Sequence, residues 1–198
     1  MPQRVSLRAL HPTQMTLGLR EVARRRAGFL ALEPRQRTDY IVRRVVPCVR
    51  GPARQLYLVD RHHMCRALLE ADAACARVAV IEDIGDVDIC EFWRRMDERG
   101  WAHPYDRQGQ RRAMTAIPAS LAMLEDDPYR TLAGVLRREK AYAKADLPFE
   151  EFAWANFLRS RIPAELIRTN FADAGSLAMT LAASQEARHL PGWIGQVR

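Results

Sequence analysis

Residues 55–74 hold the tightest constraint on what this chain can fold into: an apolar strand that runs into a helix with almost nothing between them. Gln55 to Val59 reads as a strand entered from the turn at Gly51-Pro52. Met64 to Ala74 reads as a helix with Leu68 and Leu69 on its apolar side. The junction is Asp60-Arg61-His62-His63, four polar residues. A strand that turns directly into a helix presents unpaired backbone N–H groups, and about half a positive charge, at the helix start. Phosphate is the usual guest there. The simpler alternative is that Asp60 caps the helix and both histidines decorate its first turn.

Around this junction the pattern predicts a compact α/β unit. Arg4 to Leu7 alternates as a strand, and Pro12 and Thr13 break it. Thr13 or Thr16 caps a helix over residues 17–32, whose apolar stripe is Leu19, Val22, Ala23 and Leu30. Pro34 ends that helix, and a second follows over residues 36–44. Val45 to Val49 forms a hairpin with Gln55 to Val59, and Arg77 to Glu82 adds a strand. Helical spacing then dominates, over residues 87–99, 118–124, 129–140, 148–159 and 176–187. The expectation is an α+β fold: a small mixed sheet with helices in residues 1–85, then an all-helical part, 86–198, packed on it.

Net charge is +7, but it is unevenly placed. Residues 1–54 hold 12 arginines against Glu21, Glu33 and Asp39, so the positive field lies in the segment that leads into the polar junction. Such a field draws nucleotides or nucleic acid. Cys48, Cys65, Cys75 and Cys90 form no CxxC pair, which argues against a zinc ribbon or redox dithiol. They read as small buried apolar residues. No charged leader precedes an apolar run and no apolar run spans a bilayer, so the expected location is cytoplasmic, without a membrane partner.

Asp60 is the leading candidate for chemistry. A carboxylate beside bound phosphate is unfavourable unless it holds Mg²⁺ or takes a proton. His62 and His63, as helix neighbours, diverge by about 100° and do not readily share one metal. Arg66, one turn further on, has the reach of a guanidinium fork toward phosphate. A second constellation, His103-Pro104-Tyr105-Asp106, is fixed as an extended loop by its proline, either as a substrate-contacting loop or as a turn with Trp101 and Tyr105 as packing residues. Asp127 caps a helix that Pro128 opens, and Phe149, Phe152, Trp154 and Phe157 read as core.

The junction resembles the phosphate-binding box of the ParB/sulfiredoxin superfamily, and the chain resembles the group called ParB-like nucleases over nearly its whole length. The matching pieces are Leu10-His11-Pro12-Thr13-Gln14 with Gly18, Arg20, Glu21 and Val22, then Val46-Pro47 and Gly51-Pro52. Asp60-Arg61-His62-His63 with Arg66-Ala67 follow, and then the stretch from Gly100 to Asp106. Asp126-Asp127-Pro128-Tyr129-Arg130, Leu132-Ala133-Gly134, Pro148-Phe149 with Trp154, and Leu190-Pro191-Gly192-Trp193 complete the set. The resemblance implies a nucleotide or phosphate site built from Thr13, Gln14, Arg20, Arg61, His62, His63 and Arg66. It implies a loop over the box carrying His103, Tyr105 and Asp106.

Departures narrow this further. Sulfiredoxins place a nucleophilic cysteine where this chain has His62, so sulfinic-acid repair is not expected. CTP-binding ParB proteins have a glycine, a glutamate and paired arginines where this chain has Arg61, His62, and His63 with Met64. The archaeal free-serine kinase has a similar box, an aspartate, one intervening residue and two histidines. Its general-base glutamate matches Gln14 here, which leaves Glu21 as the acidic group able to take that role.

Three functions are compatible with these residues. The first is a nucleotide-binding phosphotransferase or nucleotide hydrolase that uses ATP or ADP with Mg²⁺ and acts on a small-molecule phosphate acceptor, with Asp60, His62 and Glu21 as catalytic residues and Asp60 on the metal. The second is a ParB-like nuclease or DNA-binding protein that uses the N-terminal arginines. The third is a non-catalytic ligand sensor.

Overall fold

Val46 and Cys48 sit on successive inward positions of one strand, and Leu58 and Val78 join them from its neighbours, all fully buried. In the computed structural model, which describes residues 1–145, 147 and 149–195, the chain is α+β. The elements of the first part are β1 (Gln3–Ser6), β2 (Leu10–His11), β3 (Thr16–Leu17), α1 (Leu19–Leu30), α2 (Pro34–Arg43), β4 (Val46–Arg50), β5 (Leu56–Leu58), α3 (His62–Glu70), β6 (Cys75–Asp83), α4 (Ile89–Glu98) and β7 (Glu125–Asp126). Five strands form a mixed sheet in the order β1-β6-β4-β5-β2, and β3 pairs with β7 separately. The expected hairpin is present: β4 and β5 run antiparallel, with Val49 opposite Tyr57. β2 lies parallel to β5, with Leu10 opposite Leu56 and His11 opposite Tyr57.

Both sheet faces are covered. Leu10, Val22, Phe29, Met64, Cys65 and Leu68 pack with Cys48 on one side. Phe92, Trp93 and Met96 of α4 pack with Val49, Tyr57 and Ile84 on the other. The hairpin turn lies beneath this second cluster. A Cβ on Gly51 would stand 2.7 Å from ring carbons of Phe92 and Tyr57, so only glycine fits.

The structure corrects several expectations. Pro34 opens α2 instead of ending a helix, with Glu33 and Gln36 forming a capping box around it. α3 begins at His62, two residues early. Residues 118–124 make only a short 3-10 turn, Leu121–Met123, before β7. The compact units are Met1–Asp126 and one beginning at Asp127, so the break near residue 85 falls inside the first unit. The reason is that α4 supplies the cover for the sheet's second face. The part after residue 85 is also not wholly helical, since β7 pairs with β3, Thr16 opposite Glu125.

The second unit contains α5 (Pro128–Arg138), α6 (Glu150–Arg159), α7 (Ala164–Thr169) and α8 (Phe171–Ala183). Pro148, expected to open α6, lies outside the described residues. Asp127 caps α5 as expected, accepting from the Tyr129 N–H at 3.0 Å and pairing with Arg159 at 2.6 Å. Trp154 is fully buried, stacks on Tyr142 at 4.6 Å and donates to the Pro191 carbonyl. Among the described residues no helix is long and apolar enough to cross a membrane.

Candidate functional site

β5 ends at Leu58 and α3 begins at His62, so the strand-box-helix junction exists as predicted. The helix, however, is not capped by Asp60. Its N-cap is Arg61, held in the left-handed region at φ 67° and ψ 25°, and no side chain caps the helix start. Asp60 is exposed, and one of its oxygens accepts from the Arg61 N–H at 2.6 Å. No ion pair engages Asp60 among the described residues. A non-glycine residue in this region costs on the order of 1–3 kcal/mol, and such residues cluster at active sites and ligand clamps. The guanidinium of Arg61 has no hydrogen bond or ion pair to another described residue, so the strain is not offset by a local contact of its side chain.

Both histidines are turned to the segment between β2 and α1. His62 is buried, and its Nε2 accepts from the Thr13 backbone N–H at 3.1 Å. His63 Nε2 accepts from the Gly18 N–H at 3.2 Å. An N–H donated to Nε2 requires the lone pair there, so neutral His62 carries its proton on Nδ1. The divergence expected of neighbouring side chains is what lets the two rings hold opposite ends of one segment. Thr13 is the centre of this network. Its hydroxyl donates to the Leu58 carbonyl at 2.6 Å, and its own carbonyl accepts from the His103 N–H at 2.7 Å.

The remaining candidates are positioned differently. Gln14 is buried, and its amide donates to the Thr16 carbonyl at 3.0 Å, so it shapes its own loop. Arg66 does not reach back toward the helix start. It pairs with Glu70 at 2.6 Å and donates to the Leu121 carbonyl at 2.6 Å. Glu21 is buried on α1 and bound by Arg24 and Arg25, each at 2.7 Å. Its hydrogen bond holds the Arg24 guanidinium above the usual arginine range. Arg20, next to it, is exposed.

The loop carrying His103, Tyr105 and Asp106 comes to the Thr13–Gln14 segment that His62 holds. His103 bridges to Gln14 in parallel register and stacks on Tyr105 at 4.3 Å. Asp106 is buried and organises the loop, accepting from the Gln108 and Gln110 N–H groups at 2.9 Å and from Arg112 at 2.6 Å. Burial alone would raise its proton affinity, but the bonds from Gln110, Arg112 and Gln108 outweigh it and hold the carboxyl below the usual range.

Two participants were not anticipated. Gly18 supplies the N–H for His63. Asp126 accepts from the Leu19 N–H at 2.8 Å, placing a carboxylate at the start of α1. The available signal was the doubled aspartate before Pro128: one carboxylate caps α5, and the other is left for a different helix.

Residues 3–160 match the family model described as "Putative ParB-like nuclease". Protein Atu1540 from Agrobacterium tumefaciens, known from a crystal structure, is 41% identical, with 99% of this chain and 97% of that chain covered and a TM-score of 0.94. No curated protein matches. The strand-box-helix junction and the segment it clasps therefore lie within the matched region, and the chain belongs to the ParB-like nuclease family.

Proposed function

We propose that the start of α3 binds the phosphates of a nucleotide, and that Asp60 serves phosphoryl transfer or hydrolysis there. The observation that carries this reading is the left-handed Arg61 on an uncapped helix start. The helix dipole and first-turn N–H groups favour an anion. Arg61, whose fork suits phosphate oxygens, stands at that end with no competing partner among the described residues. Asp60 keeps one oxygen beyond its bond to the Arg61 N–H, able to orient an acceptor hydroxyl or water and take its proton. Glu21, tied by two arginines, is a poor base beside it, and Gln14 has no basic oxygen.

Among the described residues no cluster of three or more His, Cys, Asp and Glu is gathered for a metal. A magnesium ion here would rest on Asp60 and the ligand's own phosphates, as that ion commonly does, and would supply charge neutralisation when bound. His62 and His63 hold the Thr13–Gly18 segment in place, and the loop of His103 and Tyr105 stands beside it as the surface for a small-molecule phosphate acceptor.

The test is nucleotide binding and turnover with ATP, ADP and CTP, with and without Mg²⁺, in wild type and Asp60→Asn. Asn keeps the oxygen that accepts from Arg61, so fold and most affinity should persist while turnover falls by roughly 10²–10⁴-fold. Equal turnover in both proteins contradicts the assignment of Asp60.

A second reading is nucleic-acid binding, favoured by Arg4, Arg8, Arg35, Arg43 and Arg54, all exposed in the first unit. Phosphate-driven binding loses orders of magnitude in affinity between low and physiological salt. No DNA binding at low salt rules this reading out.

A further inference from the structure

The second unit buries a guanidinium that its own side chains leave short of acceptors. Arg130, in the first turn of α5, is 4% exposed. Its guanidinium carbon lies 3.4 Å from the Phe152 ring centre, so one face of the plane is stacked on the ring. Its ion-pair partner Glu151 approaches Nη2 at 3.6 Å, a long contact on that one nitrogen. Nε and Nη1 are sealed from solvent with no acceptor among the described residues. The Tyr142 hydroxyl of the same unit is likewise sealed from solvent. Asp127, the other carboxylate felt by Arg130, is already engaged by Arg159 and the Tyr129 N–H.

A buried charge lacking acceptors is strongly destabilising, and native proteins keep one where something completes it. The two open nitrogens flank Nη2, so an oxyanion along either edge of the fork takes two hydrogen bonds. Glu151 is 37% exposed and can turn outward to make room. The geometry points to Arg130 as the receptor of a small oxyanion, a phosphate or carboxylate group, which enters from the Glu151 side and takes that carboxylate's place. This site is separate from the α3 junction and does not depend on the reading proposed for it.

Full-length wild type, Glu151→Gln and Arg130→Met are titrated calorimetrically with inorganic phosphate and, separately, with acetate at fixed ionic strength. Saturable binding of phosphate alone identifies a phosphoryl ligand, and of acetate a carboxylate. Removing the competing carboxylate in Glu151→Gln should tighten that binding about tenfold. Arg130→Met should weaken it at least about tenfold. If Arg130→Met does not fold, Glu151→Gln decides alone. No saturable binding to wild type or Glu151→Gln overturns the assignment, as does equal affinity in those two proteins. Phosphate binding that responds to Arg61→Gly but not to Glu151→Gln belongs to α3, and also overturns it.

Discussion

His62 shows how a residue's type can be legible while its task is not. Imidazole beside a helix start suggested a phosphate contact. In the structure the ring is buried and accepts the Thr13 N–H, tying the β2–α1 segment to α3. His62→Ala should therefore cost about 1–3 kcal/mol, by leaving a buried N–H without its acceptor. It should also speed amide exchange at Thr13. A loss of nucleotide affinity with stability and exchange unchanged would return His62 to direct ligand contact. The cysteines behave as their burial dictates. Desolvation pushes the Cys48 thiol up to about 12, and pushes Cys65 up as well. At pH 8 iodoacetamide should label exposed Cys90 and leave Cys48 and Cys65 unmodified until unfolding, as mass spectrometry can read. Labelling of Cys48 in the folded protein contradicts this. Arg61 was expected to be a phosphate ligand from its charge and place. Its left-handed backbone was not, because nothing in an arginine announces that conformation.

Among elements, the strands and helices carrying strong period-2 or helical apolar patterns were readable: β4, β5, β6, α1 and α4 fall close to their expected places. Two-residue strands such as β2, β3 and β7 were not, since they are defined by partners far away in sequence. Pro34 was misread because proline breaks a helix interior yet suits a helix's first turn, and only the Glu33–Gln36 box distinguishes the two. Gly51→Ala places a methyl against Phe92 and Tyr57, and should lower stability by about 1–3 kcal/mol in urea unfolding. The loop of Asp106 gives a pH signature. Its folded carboxyl is held below the unfolded value, so its stabilisation is present above the usual carboxylate range and lost as pH falls through the lowered folded value. Asp106→Asn should therefore show less acid destabilisation than wild type in urea midpoints taken from about pH 5 down to about pH 2. Identical acid slopes would show that Asp106 does not hold the loop through its charge.

At the scale of the whole molecule, the α+β class and the strand-to-helix junction at residues 58–62 could be read from sequence, while the division into units could not. Apolar residues of α4 look the same whether they face helices or a sheet. Only the packing of Phe92 and Trp93 on Val49 and Tyr57 assigns them to the first unit. On the proposed reading α3 begins as an anion site, with Arg61 held at a backbone cost to meet phosphate. Glycine adopts the φ of 67° without that cost, so Arg61→Gly separates fold from function. The most direct measurement is calorimetric titration of wild type and Arg61→Gly with ATP, ADP and CTP in Mg²⁺, alongside their melting temperatures. Wild type should bind nucleotide saturably, and the glycine variant should melt at an equal or higher temperature with affinity lower by about tenfold or more. Equal affinity in the two proteins, or no binding of any of the three nucleotides to wild type, would contradict it.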